Sequence, residues 1–534
     1  MAGGSIQALE MVFLLLLLFV VAFGALARKL QTPYPIVLVL AGLLLSFVPG
    51  TPKIAIDPDV IFFVVLPPLL YSAAWLTSWR EFSYHLVSIL FLAFGLVLFT
   101  VLGVAAMAPW FFSGFDWRMG FVLGAVVAPT DAIAATSIAK QIGLPKRIVD
   151  VLEGESLVND ASGLLALEFG VAMLVRGETG TISGGLERLV YLTVAGLAVG
   201  LLIGVVVNWV ETHIDHGPIE IALSIMVPYV SYLAADSIRA SGVLAVVACG
   251  LYLSRKSSSF FSASVRLQAW AVWDSLTFIL NGLVFVLIGL QLPKVLRGIH
   301  DHSLRELLVY GGLFSGLLIA LRVFWIFPGA FMANLVRRRI LHQKEPMPPA
   351  RQIFVVGWTG MRGVISLAAA IALPQTLANG APFTQRDLII FLTFCVILVT
   401  LVLQGLTLAP LVRALGLAGA GGRSCEEEEA RRIILEAAVG YLETIRGKQS
   451  SELDEVYDDL AQHYGHRLAT LKGDAGDIHS DHHKRYVRLS RELLRVERQT
   501  AVRLRNEGRI NDELLRDLER ELDLSETRFL TGDM

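Results

Sequence analysis

The sequence predicts an all-α integral membrane protein of about thirteen transmembrane helices, with inverted repeats and two broken, crossing helices, followed by a soluble helical tail. Three observations predict it. The 534 residues are 54% hydrophobic, with a mean hydropathy of +0.62, and only 17% are charged, against roughly 25% in ordinary soluble domains. Two of the apolar runs are interrupted near their middle by helix-disfavouring residues. After about residue 415 the chain turns abruptly charge-dense, as in EEEEARR at 426–432. The expected division is therefore a transmembrane domain over 1–415 and a cytoplasmic helical tail over 416–534.

At about 20 residues per crossing, the candidate spans lie near 8–28, 33–49, 58–77, 84–109, 119–140, 148–175, 187–209, 217–236, 240–254, 268–291, 306–334, 352–378 and 386–414. The first, MVFLLLLLFVVAFGALA, has no basic residue before it and Arg28-Lys29 after it. A cleaved leader carries its positive charge in front, so this reads as a retained span whose far end faces the cytoplasm. The segment at 240–254 is short, and that at 84–109 is long enough to tilt or bend. With the amino terminus outside, lysine and arginine favour the inner loops, led by Arg337, Arg338 and Arg339. An odd number of spans then places the tail in the cytoplasm of a cell whose plasma (inner) membrane holds the protein.

The fifth span contains VVAPTDAIAATSIA, with Pro129-Thr130-Asp131 inside an apolar run. The twelfth contains VVGWTGMRGVISLAAA, with Gly357, Gly360 and Gly363 around Arg362. Proline removes a backbone donor and glycine weakens a helix. Two unrelated kinks would give the same pattern. Broken helices are tolerated in a membrane only where protein or a wet cavity satisfies the freed backbone. Two breaks seven spans apart therefore fit an inverted-repeat transporter, whose site lies where they cross.

The sixth span opens with EGESLVNDASG (153–163). Charges in a membrane helix are costly and mark function by default. Ser156 and Asp160 are four apart and share a face; Glu155 and Asn159 form a second stripe beside them. Glu168 lies two turns beyond Asp160 on roughly the same side. A carboxylate in a partly dry cavity favours its neutralised state, which a proton or a small cation can supply. If only one fits at a time, competition at an alternating-access site gives exchange. Hard oxygens from Asp160, Ser156 and the freed carbonyls near Thr130 suit a dehydrated alkali cation. A structural carboxylate paired with arginine is the other reading, and it fits Glu155 better than Asp160. Of the two intramembrane arginines, Arg322 is the expected partner of Glu155. Arg362 is expected to balance the negative ends of its own broken helix, and Asp131 to sit at half-helix amino-terminal ends, where a negative charge is favoured. Glu220, Asn281, Asp236 and Asp274 read as structural or interfacial.

Other classes are excluded or unsupported. A net charge of −2 with no basic stripe gives no nucleic-acid surface. The scattered Cys249, Cys395 and Cys425 read as small hydrophobes. No HExxH, GxSxG, Walker or dinucleotide motif occurs in context, so neither an enzyme nor a cofactor is expected. Without a phosphate-binding loop, coupling to an ion gradient is the natural drive.

LPPLLYSAAW (66–75), GAVVAPTDAIA (124–134), EGESLVNDASGLL (153–165), SGVLAVVACGLYL (241–253), NGLVFVLIGL (281–290) and GWTGMRGVISLAAA (357–370) follow in the right order. Together they resemble the monovalent cation/proton antiporter family, in its electroneutral sodium/proton exchanger branch of bacterial type. The Asn-Asp pair in GESLVND is the most specific point; the related electrogenic branch carries two adjacent aspartates there. The resemblance implies a thirteen-span homodimer with a six-helix core. It implies Asp160 as the shared cation and proton carboxylate, with Ser156 and Thr130 as neighbouring ligands and Asp131 at the break. Glu155, Asn159 and Arg322 would form a structural network. Asn159 in place of a second aspartate fits one H⁺ for one monovalent cation, with Na⁺ expected and K⁺ the alternative. A non-transporting membrane sensor is the rival from another class. One place departs from the pattern: where many relatives carry an acid after the LPPLL-aromatic segment, this chain has Ser72. Water, a hydroxyl or Glu168 would have to serve instead.

In the tail, LLRVERQTAVRLRNEG and DELLRDLERELDL show helical spacing of apolar residues. His479, His482 and His483 cluster in DIHSDHHKR, which reads as a solvated loop in preference to a pH sensor or metal site.

Overall fold

The structure is a computed structural model. It describes residues 2–48, 57–112, 114–176, 182–297, 299, 303–343, 346–377 and 380–419 of the apolar part. In the tail it describes 425–446, 460–462, 464–465, 477–507, 509, 514–515, 518, 521–523 and 525. All regular elements among these residues are helical, apart from one isolated bridge between Thr376 and Pro382. The chain divides into two compact units, Met1–Gly421 and Gly422–Met534.

The first unit begins with α1 (Ala2–Lys29) and α2 (Tyr34–Ser46). A kinked span follows, Pro58–Leu76, made of α3 (Pro58–Val60), a π turn (Ile61–Val65) and α4 (Leu66–Leu76). The next run, Trp79–Phe111, comprises α5 (Trp79–Leu90), a π turn (Phe91–Leu96) and α6 (Val97–Phe111). The expected bend in this long segment thus has a cause, since a π turn frees carbonyls from the helical ladder. Two find new donors: Trp325 Nε1 reaches Phe91 O at 3.3 Å, and Ser162 Oγ donates to Ala93 O.

The first broken pair is α7 (Trp117–Val127) and α8 (Ala132–Ile142), bent by 40°. Asp116 caps the start, accepting from Met119 N at 2.8 Å, and Gly143, at φ 70°, ends α8 in the left-handed region that glycine favours. Then come α9 (Lys146–Arg176), α10 (Ile182–Glu211), α11 (Gly217–Ser237), α12 (Gly242–Phe260), α13 (Ala263–Leu290) and the short α14 (Leu292–Arg297). The longest helix, α15 (Leu304–Arg339), opens on a capping box between Ser303 and Glu306. The second broken pair is α16 (Ala350–Trp358) and α17 (Val364–Ile371). The last span, Arg386–Ala414, comprises α18 (Arg386–Val399), a π turn (Thr400–Gln404) and α19 (Gly405–Ala414).

Among the described residues, nine helices are long and apolar enough to cross a bilayer, or ten if the bent α7–α8 pair counts as one span. The other segments of the expected thirteen have specific shortfalls. α2 has 13 residues. α12, which runs past the expected end at 254, carries Arg255 and Lys256 within its 19 residues. α16 and α17 have nine and eight residues.

In the second unit, α20 covers Cys425–Arg446 and α21 covers Asp477–Asn506. The histidine cluster expected in a loop therefore lies on helical backbone, within the first two turns of α21. The loop reading missed that DIHSDHHKR runs without glycine or proline into the periodic segment after it.

Candidate functional site

The two breaks meet. The residues between α7 and α8 leave Asp131 N free, and it donates to Met361 O, between α16 and α17, at 2.8 Å. In return, Arg362 Nε donates to Val127 O, at the carboxyl end of α7, at 3.0 Å, and its Nη1 donates to Gly360 O. The guanidinium thus neutralises carbonyl ends of both broken helices, not only its own as expected. Its backbone N–H goes to Thr400 Oγ1 at 3.2 Å, at the π turn of the last span.

Asp131 is the N-cap of α8, its Oδ1 accepting from Ile133 N at 2.8 Å. The carboxylate faces the helix's positive end, where its charge is stabilised. Gly363 makes room for it: a Cβ there would come within 2.5 Å of Asp131 Oδ2.

α9 brings its two polar stripes against this crossing. On one, Ser156 Oγ accepts from Ala132 N at 3.3 Å, and Asp160 is 4% exposed. On the other, Glu155 and Arg322 form a two-pronged pair, Nη1 to Oε1 at 2.5 Å and Nη2 to Oε2 at 2.9 Å, with side chains 2% and 1% exposed. Arg322 Nη2 also donates to Val356 O at 3.1 Å, near the end of α16. Thr130 Oγ1 donates to Glu155 Oε1 at 3.0 Å and accepts from Asn159 Nδ2 at 2.6 Å. The hydroxyl of Thr130 is thereby committed to the Glu155 stripe, while the residue still borders the same cavity as Asp160.

That cavity has a volume of about 250 Å³ and is bordered by Asp131, Ser156 and Asp160 on one side. Four polar residues face it from α2, α4 and α13: Tyr34, Ser72, Thr277 and Asn281. Thr277 Oγ1 donates to Ser72 Oγ at 3.2 Å, so two hydroxyls stand together where the family resemblance leads one to expect an acid. Thr277 and Asn281 are four apart on α13. That spacing in TFILN was the signal available in the sequence, where Asn281 reads as structural and Thr277 passes unnoticed. The cavity reaches Lys140 and Glu153, which pair at 2.9 Å. Glu168 is not part of it. Its side chain is 57% exposed and pairs with Arg188 at 3.2 Å, because the turns of α9 beyond Asp160 lead away towards α10. No hydrogen bond or ion pair reaches the Asp160 carboxylate among the described residues, whereas Glu155 is paired and Asp131 caps a helix.

An all-helical membrane-spanning body with two broken helices crossing beside buried carboxylates defines a secondary transporter. The family model for the transmembrane sodium/hydrogen exchanger matches residues 14–414. An uncharacterized Na⁺/H⁺ exchanger of Mycobacterium tuberculosis is 34% identical over 520 residues, 96% of this chain and 94% of that one. The uncharacterized Na⁺/H⁺ exchanger YjcE of Escherichia coli is 30% identical over 97% of this chain and 98% of its own. A sodium, potassium, lithium and rubidium/H⁺ antiporter of Bacillus pumilus is 31% identical over 86% of this chain and 69% of its own. In fold, the sodium proton antiporter MjNhaP1 of Methanocaldococcus jannaschii superposes with a TM-score of 0.59 at 19% identity, over 77% of this chain and 99% of that one. The chain belongs to the sodium/hydrogen exchanger family: it is a multi-pass membrane antiporter, and its family is one of transporters, not enzymes.

Proposed function

We propose that the protein exchanges one H⁺ for one monovalent cation, with Na⁺ the expected ion, by alternating access and competitive binding at Asp160. The observation that carries this reading is the isolation of Asp160: a buried carboxylate on the cavity wall with no protein partner among the described residues. An unpaired buried charge is costly, and either a proton or a desolvated cation can offset that cost. Ser156, Thr130 and Asp131 border the ion, the Thr130 contribution coming through the remaining lone pair of its backbone oxygen, which already accepts from Asn159 Nδ2 at 3.4 Å, since its hydroxyl is engaged. Glu155, Asn159 and Arg322 hold the framework, as does Arg362. Arg322 neutralises Glu155 permanently and the amino end of α8 holds the charge of Asp131, so Asp160 is the carboxylate left to cycle, which supports one-for-one stoichiometry. On this reading the protein works as a homodimer in the plasma membrane, amino terminus outside, tail from 416 onwards cytoplasmic, and needs no cofactor.

The test is cation-driven proton flux in proteoliposomes. Adding Na⁺ should discharge a preset proton gradient, and Asp160→Asn should abolish the discharge; flux persisting in that variant overturns the assignment. An imposed voltage should neither drive exchange nor arise from it. K⁺/H⁺ exchange on the same scaffold is the second reading. It is favoured by the Ser72–Thr277 hydroxyl pair, which supplies no charge to compress selectivity towards the smaller ion, and by the Bacillus pumilus relative, whose name includes potassium. Competition between the two cations in the same assay separates them. A sensor without transport would show no flux with any cation.

A further inference from the structure

A separate hollow of about 70 Å³ lies between the ends of four helices. Its polar lining is His85 and Ser88 from α5, Arg147 from α9, Arg337 from α15 and Gln352 from α16. Arg337 stands in the last turn of α15, while Arg147 and Gln352 stand in the first turns of α9 and α16. On the proposed orientation, these ends meet at the cytoplasmic face. Arg337 and His85 are buried, 3% and 4% exposed. No aspartate or glutamate is among the described residues that line the hollow.

This is a costly place for positive charge. A guanidinium taken out of water needs an opposite charge and acceptors for its five N–H groups. Arg337 and His85 have contacts elsewhere, yet Arg337 Nε, Arg337 Nη1 and His85 Nδ1 are buried and make no hydrogen bond. The negative end of α15 accounts for one arginine by itself. It does not account for a second arginine, a histidine and the positive ends of two further helices converging on one hollow. At α16 the N-cap is Pro349, which offers the first turn no side-chain acceptor. The two guanidinium groups and the amino ends of α9 and α16 all favour a negative charge between them. Arginine's planar fork matches a phosphate group through two parallel hydrogen bonds. The volume has room for a group of that size, and it lies far below the roughly 300 Å³ at which pockets for whole small molecules begin.

We propose that this hollow is an anion site that takes a phosphate group, held between Arg147 and Arg337 against the first turns of α9 and α16. Basic hollows between helices on the cytoplasmic side suit phosphate-bearing lipid headgroups, and the exposed Arg338 and Arg339 follow directly in the chain. A lipid headgroup and free phosphate present the same chemistry to these residues. Either one braces the ends of four helices at a point that touches the framework: Val356 borders the hollow, and its carbonyl oxygen accepts from Arg322 Nη2 at 3.1 Å. The helix that supplies Arg147 also carries Asp160. The site rests on the proposed orientation for its side of the membrane, and it does not depend on Asp160 as the carrier.

The test is heat inactivation of the full-length protein, delipidated in neutral detergent and read as a half-life at fixed temperature. Short-chain phosphatidylglycerol, inorganic phosphate and chloride are added separately at matched ionic strength. Phosphatidylglycerol or inorganic phosphate should lengthen the half-life several-fold beyond chloride. Protection by phosphatidylglycerol alone identifies a lipid headgroup as the source, and protection by inorganic phosphate identifies free phosphate. Arg147→Gln removes one arm of the site and should weaken the protection. Ser88→Glu places a carboxylate in the hollow, so it should lengthen the half-life without any addition and abolish the response. The two variants act in opposite ways on the charge, so one that fails to fold leaves the other to decide. The proposal is overturned if neither addition protects beyond chloride, or if either folded variant is protected as well as the parent. Asp160→Asn should keep the response in full, so failure here is distinguishable from failure of the carrier reading.

Discussion

Replacing Glu155 with glutamine keeps the size of the side chain and removes its charge, and so isolates the value of the Glu155–Arg322 pair. Both side chains are almost fully enclosed, and the carboxylate takes both guanidinium nitrogens at 2.5 and 2.9 Å. The attraction between two buried charges does little more than repay their desolvation, but removing one partner leaves the other uncompensated, at about 3–5 kcal/mol. Glutamine still offers one oxygen to Arg322 or Thr130, so the lower end applies: about 3 kcal/mol, or roughly two powers of ten at 1.36 kcal/mol per decade. Heat inactivation of a membrane protein is an irreversible process, so the quantity to measure is a half-life at fixed temperature. In detergent, Glu155→Gln should shorten the half-life by up to roughly a hundredfold. Arg322→Met should do the same or worse. The double variant Glu155→Gln/Arg322→Met should recover most of the loss, because no bare charge remains, and it should retain measurable exchange if the pair holds the framework without carrying the proton. A Glu155→Gln half-life equal to that of the parent, or a double variant no better than the worse single one, would refute the reasoning.

Gly363→Ala should push the Asp131 carboxylate off the amino end of α8, since the added Cβ would sit within 2.5 Å of Oδ2. Overpacking of this kind costs about 1–3 kcal/mol, and exchange in proteoliposomes should fall about tenfold on that scale; a parental rate would show that the break tolerates the contact. Ser72→Asp, beside Thr277, should lower the half-saturating Na⁺ concentration several-fold, and an unchanged value would remove that wall from the ion's surroundings. Competition between H⁺ and cation fixes the sign of the pH dependence. On the acid side each unit of acidification should raise the half-saturating cation concentration, approaching about tenfold per unit, and a flat profile would exclude a shared carboxylate.

The apolar spans were legible because a membrane forces long hydrophobic runs, and the breaks because proline and glycine interrupt them at fixed positions. The need of Arg322 for an acid was legible for the same reason: an unpaired guanidinium has no cheap place in such a run. What the sequence hid were choices among neighbours of equal plausibility. Thr130 lies one residue from Asp131, yet its hydroxyl turns to Glu155 and Asn159. Glu168 shares a face with Asp160 by helical count, but eight residues along α9 it has left the cavity for Arg188. Arg362 reaches Val127, 235 positions earlier, and Ser72 meets Thr277, 205 positions later. Such contacts are set by how helices cross, which local periodicity does not encode. The π turns were hidden too, since FLAFGL and TLVLQ read as ordinary helix.

The distribution of strong contacts says where the molecule can move. The two breaks are tied to each other by Asp131 N to Met361 O and by Arg362 to Val127 O, to α9 by Ala132 N to Ser156 Oγ, and to α15 through Arg322. The Arg362 and Arg322 bonds are buried, the Ala132–Ser156 bond is part-buried, and the Glu155–Arg322 pair beside them is closed on both prongs. These elements behave as one body, because opening it at the crossing would strand several buried polar groups at about 1–3 kcal/mol apiece. The opposite wall is held differently. Between α9 and α10, the ion pair Glu168–Arg188 is exposed, with side chains 57% and 39% accessible, and a pair of that kind is worth about 1 kcal/mol or less. Between α9 and α12 there is the apolar cluster of Ala161, Val243 and Leu244, which can slide without breaking a hydrogen bond. On the proposed reading of Asp160 as the carrier, the crossed-helix body would move along this seam with the carboxylate while its own framework stays intact.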